Sequence, residues 1–176
     1  MTLTRRYHLV TLGCPKNEVD SDKLAGTLVA DGMMATDRPG DADLIVVNTC
    51  AFVEDARRES IDTVLALADQ RRDGARLVVT GCMAERYGTE LAGELPEADQ
   101  VVGFGVPIAL GKTRSNGALP PVMDLLNLPR PASTRPWAYV KAAEGCDRAC
   151  GYCAIPSFRG PQRSRSPESV LAEVDG

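Results

Sequence analysis

The chain has 176 residues, of which 44% are hydrophobic and 25% are charged, and its formal net charge is −4. This composition is typical of a globular protein with a substantial core, and it excludes a chain that is disordered along its whole length. The negative net charge provides no general basic field, so we expect no direct nucleic-acid binding by this portion. We find no export signal and no apolar stretch long enough to span a bilayer. Six cysteines without an export signal then predict a reducing compartment, hence a cytoplasmic protein with no membrane contact.

The first part of the chain alternates between strand-like and helical patterns. Buried-strand runs are predicted at 8–13, 43–50, 76–82 and 99–104, and helices at 19–33, 54–72 and 84–95. Near-continuous apolar strands that alternate with amphipathic helices indicate parallel βαβ units. Asn17 and Asp20 have the spacing of a helix-capping arrangement. We therefore predict the α/β class, with an open parallel sheet flanked by helices over residues 1–104.

The rest of the chain has a different character. Residues 105–136 are rich in proline and glycine, and we interpret them as a connection between domains. A strand is predicted at 137–145, and a later helix is predicted to have Ser166 as its N-cap and Pro167 at its first position. The chain stops within this second unit, 137–176, so we expect the sequence to be truncated soon after a second domain begins.

The strongest local motif is GCDRACGYC, in which Cys146, Cys150 and Cys153 have the spacing C-x3-C-x2-C. Three thiolates this close together on a glycine-rich loop can bind one face of a compact metal cluster. A four-iron cluster held by three cysteines keeps one iron free for an outside ligand. Zinc usually takes a fourth protein ligand, and no further Cys or His lies nearby in the sequence. The motif therefore favours an iron–sulfur cluster, with zinc as the alternative.

Cys14, Cys50 and Cys82 are distant in sequence but share one structural position. Each ends a predicted strand, in TLGC, VVNTC and VTGC. The carboxyl ends of parallel strands lie at one edge of a sheet, where ligands bind. Each strand also leads into a helix, whose N-terminus favours the anionic form of a thiol. The pattern therefore suggests a second iron–sulfur cluster with an open iron, while three unrelated buried thiols are the alternative.

Basic residues follow both sets of cysteines. Four arginines lie on or after the second cysteine loop: Arg148, Arg159, Arg163 and Arg165. They are either solvated charges or contacts for a carboxylate, a phosphate or an acidic partner. Lys16 is likewise either a solvated loop charge or a cation near an anionic cluster.

The C-x3-C-x2-C loop directly after a predicted strand, with Tyr152 before its third cysteine, resembles the signature of radical S-adenosylmethionine enzymes. Together with the three cysteines of the preceding α/β domain, the whole chain resembles the methylthiotransferases. That family has an N-terminal domain with an auxiliary [4Fe-4S] cluster, a central radical (β/α) barrel and a C-terminal TRAM domain. The resemblance implies that 1–104 is the methylthiotransferase N-terminal domain and that 137–176 is the truncated start of the radical S-adenosylmethionine barrel.

The resemblance also implies two [4Fe-4S] clusters and S-adenosylmethionine as cofactors. The radical cluster, with its exchangeable S-adenosylmethionine, would be held by Cys146, Cys150 and Cys153. The auxiliary cluster would be held by Cys14, Cys50 and Cys82. An electron donor such as flavodoxin or ferredoxin would be a partner, and no catalytic residue is identified beyond these ligands. Because most of the barrel is missing, we expect the 176-residue chain alone to be inactive.

Two branches of the family differ after the first cysteine. The stretches TLGCPKNEVDSD and AIPSFRG resemble the branch that methylthiolates the β-carbon of an aspartate on the twelfth small-subunit ribosomal protein. The tRNA-modifying branch typically has Gln-Met-Asn after the first cysteine. We therefore predict a small-subunit ribosomal protein as the substrate. A tRNA methylthiotransferase and a non-catalytic iron–sulfur or zinc-binding fragment are the alternatives.

Overall fold

The structure is a computed structural model that describes residues 4–108, 124–131 and 136–175. It contains a sheet of five strands with helices on both faces, followed by a smaller unit of two strands and two helices. In chain order the elements are β1 Arg6–Thr11, α1 Pro15–Ala30, β2 Met34–Ala35, a 3-10 turn Pro39–Asp41, β3 Leu44–Thr49, α2 Glu54–Gln70, β4 Arg76–Gly81, α3 Cys82–Glu94, β5 Gln100–Val101, β6 Ala143–Glu144, α4 Ile155–Arg159, β7 Arg163–Ser164 and α5 Pro167–Asp175.

The sheet has the order β2-β1-β3-β4-β5, and all its strand pairs are parallel. This confirms the predicted open parallel sheet. The chain moves outward in one direction from β1 and in the other from β3, so the strand order reverses between these two strands. Ligands of open α/β sheets bind at such a point, beyond the carboxyl ends of the strands.

Each face of the sheet carries its own apolar core. All six residues of β3 are buried, which explains the continuous apolar run in that strand. On one face, residues of α2 and α3 pack against alternate strand residues: Val64, Leu67, Met83 and Leu91 against Ile45, Val47, Leu77 and Val79. On the other face, residues of α1 pack against the remaining positions: Leu24 and Leu28 against Leu44, Val46 and Val78.

Helix α1 begins earlier than the sequence pattern indicates. Cys14 is its N-cap and makes no side-chain cap hydrogen bond, and Pro15 is at the first helical position. Proline favours that position because its φ is already helical and its missing N–H would have no partner there. Asn17 and Asp20 therefore lie inside the helix, so the predicted capping arrangement is wrong.

Three other features of the sheet domain differ from the predictions. Strand β5 is limited to two residues, although 99–104 was the predicted range, because it is an edge strand that pairs with β4 only at Val78 and Val79. Strand β2 is also a two-residue edge strand with both residues exposed, so its sequence contains no recognisable pattern. Helix α3 is interrupted at Gly88, whose φ of 38° and ψ of −109° are not helical.

The described parts of the 105–136 connection pack on the α1 face of the sheet. Ile108 and Leu125 are buried in the same core as Leu24 and Leu28. Most of the predicted connection, residues 109–123 and 132–135, lies outside the described residues.

The strand predicted at 137–145 is wrong except at Ala143–Glu144. Trp137, Tyr139 and Val140 are exposed, and β6 pairs only with β7, in an antiparallel direction. The apolar pattern that predicted a strand there comes from these three side chains, which are 38% to 52% exposed. The predicted final helix is confirmed as α5, where the Ser166 hydroxyl accepts a hydrogen bond from the Ser169 amide at 3.2 Å. None of the helices in the described part of the chain is both long and apolar enough to cross a membrane.

Candidate metal centres

The cysteines of the first triad, Cys14, Cys50 and Cys82, lie beyond the carboxyl ends of three neighbouring strands. Cys14 follows β1 after two intervening residues, Cys50 comes directly after β3, and Cys82 comes directly after β4 as the first residue of α3. They are thus just past the strands, whereas the sequence placed each as the last strand residue. The strand order β1-β3-β4 puts all three at one edge of the sheet.

Close backbone approach joins the turns that carry Cys14 and Cys50. Gly13 has a φ of +93°, and a Cβ atom there would lie 2.7 Å from Cys50 Cβ and 2.8 Å from Cys50 Sγ. Only glycine leaves this space free. The buried amide of Asn17 spans the same gap, since its Nδ2 donates to Leu12 O at 2.8 Å and to Thr49 O at 3.0 Å. The two turns are therefore held together directly beside the cysteines.

The Cys82 thiol is buried against a guanidinium group. Arg159 Nη2 donates to Cys82 Sγ at 3.0 Å, and Asn17 Oδ1 lies 3.6 Å from the same sulfur. Burial raises the pKa of the Cys82 thiol to about 11, although Arg159 acts in the opposite direction. The other two thiols, at Cys50 and Cys14, are close enough to contribute to the increase. The three cysteines thus share one electrostatic environment.

All six cysteines are free thiols. As their side chains are oriented, the parts of the chain that the structure describes contain no group of three or more His, Cys, Asp or Glu residues that could hold a metal ion. The donor chemistry nevertheless fits a thiolate-bound cluster. Three sulfurs lie at one sheet edge, a cation lies against one of them, and a glycine leaves room between two of the turns.

The second triad, Cys146, Cys150 and Cys153, lies on one loop between β6 and α4. Cys150 is exposed and the other two are partly buried. The Cys153 amide donates to Cys150 O at 3.1 Å, and the Arg148 amide donates to Cys146 Sγ at 3.5 Å. Tyr152 is 94% exposed, so this loop is open to solvent on one side.

Four charged side chains form a buried ion cluster between the sheet and the second unit: Asp20, Lys141, Glu144 and Arg159. Arg159 Nη1 lies 2.7 Å from Asp20 Oδ2 and 3.1 Å from Glu144 Oε2. Lys141 forms ion pairs with the same two carboxylates. Burial alone would raise the pKa of Glu144, but the charge of Arg159 and the hydrogen bond from Lys141 outweigh burial and lower the pKa to about 2.

Sequence reasoning gave Asp20 only a role in helix capping and did not single out Lys141 or Glu144. One signal was present at Asp20, because it is four residues from Leu24 on the face of α1 that the apolar pattern assigns to the core. A charge on such a face indicates a buried partner, but the pattern does not identify which one.

The basic residues that follow the cysteines were expected to be either solvated charges or contacts for an acidic group, and the structure shows carboxylate contacts for four of them. Arg159 and Arg165 contact carboxylates inside the protein, the latter at Glu173. Arg163 pairs with Asp124 at 3.2 Å, and Lys16 lies 3.4 Å from Glu144 Oε1. A cavity of about 340 Å³ lies beside the buried ion cluster, lined by residues of α1, the 124–126 segment and the 157–163 segment.

Comparison with known proteins assigns the domain that contains the first triad. Residues 6–103 match the uncharacterized protein family UPF0004, and the chain belongs to that family. The match ends just after β5 and so covers the parallel sheet and its flanking helices.

Curated relatives match almost the whole chain. It is 48% identical to the ribosomal protein uS12 methylthiotransferase RimO of Desulfosudis oleivorans, over 97% of this chain and 42% of the relative. It is 43% identical to the proteins of the same name from Saccharopolyspora erythraea and Myxococcus xanthus, over 97% and 98% of this chain and 43% and 38% of the relatives. The chain thus spans about two fifths of the length of these relatives.

Proposed function

We propose that this chain is the N-terminal portion of a radical S-adenosylmethionine methylthiotransferase that acts on an aspartate of ribosomal protein uS12. The observation that carries the proposal is the placement of Cys14, Cys50 and Cys82 beyond three adjacent parallel strands, together with a second triad on one loop. The relatives named as uS12 methylthiotransferases support it, since their alignments cover 97% of this chain. Residues 137–176 would then be the start of the radical barrel.

Each triad would hold one [4Fe-4S] cluster. In the first, the Gly13 turn and the Asn17 amide fix the distance between the Cys14 and Cys50 backbones. Arg159 supplies positive charge beside the third sulfur, on Cys82, which offsets the negative charge of a thiolate ligand. Ligation requires the three side chains to turn toward a common centre from the strand ends that carry them.

The second triad would bind the cluster that takes S-adenosylmethionine. Its loop is exposed at Cys150 and Tyr152, so a cofactor has open access to it. When bound, the clusters and S-adenosylmethionine would supply activation of an unreactive C–H bond and delivery of a methylthio group. Two separate triads allow these two tasks to be performed at two sites. An electron donor such as flavodoxin or ferredoxin and a cytoplasmic location belong to the same proposal.

The cluster assignment is tested by anaerobic reconstitution of the chain with iron and sulfide. We expect two [4Fe-4S] clusters per chain, measured as iron, sulfide and visible absorption from thiolate-to-iron charge transfer. Replacing Cys14, Cys50 and Cys82 together by Ala removes about half of the iron, and replacing Cys146, Cys150 and Cys153 by Ala removes the other half. Stoichiometric zinc without that absorption would contradict the proposal.

The predicted substrate is tested with the longest protein that is encoded by the gene containing these residues. The reconstituted protein, S-adenosylmethionine and a reductant are incubated separately with ribosomal protein uS12 and with unmodified tRNA. We expect mass spectrometry to find one methylthio group on an aspartate of uS12 and none on the tRNA. Modification of tRNA alone would assign the protein to the tRNA branch instead.

A further inference from the structure

The guanidinium group of Arg159 connects the surroundings of the two cysteine triads. Its Nη2 atom contacts Cys82 Sγ at 3.0 Å and Asn17 Oδ1 at 2.7 Å. Its Nη1 atom contacts Asp20 Oδ2 at 2.7 Å and Glu144 Oε2 at 3.1 Å. The side chain is only 4% exposed, so all four contacts are shielded from water.

The same residue lies at the base of the loop that carries the second triad. Arg159 is the last residue of α4, which begins two residues after Cys153. The next residue, Gly160, accepts a hydrogen bond from the Cys146 amide at 3.1 Å. Glu144, on the other side of the base, accepts one from the Gly145 amide at 3.1 Å while it pairs with Arg159. The base of the loop is thereby closed around the arginine.

The guanidinium also lies over an aromatic ring. The Phe104 ring lies 4.2 Å from Arg159 Cζ, and Phe158 of the same helix is buried in the core formed by α2 and α3. A planar fork with five donors can serve a sulfur, an amide oxygen and two carboxylates at once, whereas an ammonium group cannot span this arrangement. The position therefore requires arginine by geometry as well as by charge.

We propose that Arg159 is a positioning residue that couples the two triads, holding the Cys82 sulfur with one nitrogen and the base of the Cys146–Cys153 loop with the other. The contact itself is independent of metal, but its consequence for cluster chemistry rests on the proposed function. Hydrogen bonds from a cation to a ligand sulfur stabilise the more negative, reduced state of a cluster. Arg159 therefore raises the reduction potential of the cluster held by the first triad.

A double-mutant cycle tests the coupling in the full, metal-free chain. The variants are Cys82→Ala, Arg159→Gln and their combination, compared by urea unfolding under reducing conditions. We expect the combined effect on the unfolding equilibrium constant to depart from the product of the single effects by about two-fold or more. Arg163→Gln, an exposed arginine that pairs with Asp124, is the matched control and should combine with Cys82→Ala without such a departure. If Arg159→Gln does not fold, Arg159→Lys takes its place in the cycle. The proposal is overturned if the effects of Cys82→Ala and of the Arg159 variant on the unfolding equilibrium constant simply multiply.

The effect on the cluster is tested in protein whose Cys146, Cys150 and Cys153 are replaced by Ala, so that only the first triad binds iron. We expect Arg159→Gln to shift the midpoint potential to a more negative value, Arg159→Lys to shift it less, and Arg163→Gln to leave it unchanged. Equal potentials at equal iron content would overturn the inference. If the first triad binds no iron while Arg159 is intact, the proposed function fails, and the metal-free cycle alone decides the role of Arg159.

Discussion

Gly13 allows the turn that carries Cys14 to approach the turn that carries Cys50. Its φ of +93° belongs to a region that side chains disfavour, and Cys50 occupies the space where a Cβ would project. Gly74 has a similar φ of +78°, but no atom lies within 4 Å of the position of its missing Cβ. A side chain at either glycine would strain the backbone, but only a side chain at Gly13 would also collide with Cys50. Comparing substitutions at the two positions therefore distinguishes the effect of backbone strain from the effect of close approach.

We predict that Gly13→Ala impairs iron binding by the first triad, because the added methyl group displaces Cys50 from the turn that carries Cys14. Gly74→Ala is the matched control, and we expect it to cost about 1–2 kcal/mol of strain while iron binding is retained. The measurement is iron per chain after anaerobic reconstitution, with Cys146, Cys150 and Cys153 replaced by Ala, together with urea unfolding of the metal-free proteins. Equal iron content in the two glycine variants would refute the prediction.

At the scale of elements, the sequence was most informative where burial is uniform. The run from Leu44 to Thr49 is buried on both faces, so its apolar pattern predicted β3 almost to the residue. The strand predicted at 137–145 failed before Ala143 because the apolar side chains that produced the pattern are exposed. The buried positions of this stretch are instead the charged Lys141 and Glu144, which pair with Asp20 and Arg159. Such partners depend on tertiary contacts that local periodicity does not encode.

The candidate site follows the same distinction. That three cysteines share one sheet edge could be predicted, because parallel strands fix which ends lie together. That Arg159 contacts Cys82 could not, because the contact depends on how α4 packs against α3 across a gap of 77 residues. The sequence offered only a basic segment with two possible environments.

Helix α1 is linked to the last helix, α5, through a buried lysine. Lys23 is fully buried, donates to Leu126 O at 2.7 Å and lies 3.9 Å from Glu173 Oε2 of α5. Burial lowers the pKa of Lys23, and the negative charge of Glu173 offsets this only in part. The folded protein therefore releases this proton at a lower pH than the unfolded chain does.

We predict that this difference contributes to the pH dependence of stability. Between the lowered pKa of the folded state and the value of about 10.4 in the unfolded chain, the unfolded state binds more protons, so the free energy of unfolding gains an increasing contribution as pH rises. Lys23→Met removes that contribution. Urea unfolding from about pH 7 to about pH 10 should show that the free energy of unfolding of the variant decreases, relative to that of the original protein, as pH rises. Lys16→Met, at a side chain that is 46% exposed, controls for loss of an ammonium group. The prediction is wrong if the free energy of unfolding of Lys23→Met differs from that of the original protein by the same amount at every pH.

At the scale of the whole molecule, the sheet and the second unit are joined through charge as well as through apolar contact. The buried ion cluster contains two carboxylates, on Asp20 and Glu144, and two cations, on Lys141 and Arg159, so its formal charges balance. The exposure of these side chains ranges from 1% to 11%. Burying ions is costly unless each is paired, so removing one member leaves an uncompensated charge that water cannot reach.

We predict that Asp20→Asn destabilises the folded protein by about 3–5 kcal/mol, because it leaves an excess positive charge in the cluster. The double variant Asp20→Asn with Lys141→Met restores the balance between Glu144 and Arg159, and it should recover a substantial part of the loss. Glu54→Gln, at a carboxylate that is 57% exposed, is the surface control and should change stability by less than about 0.5 kcal/mol. Urea unfolding gives the free energies, and hydrogen exchange locates the change. We expect faster exchange in the backbone amides of β6 and of the loop to Gly160, whereas β3 and β4 stay protected. If the double variant is as unstable as the sum of its two single changes, charge balance does not hold the two units together.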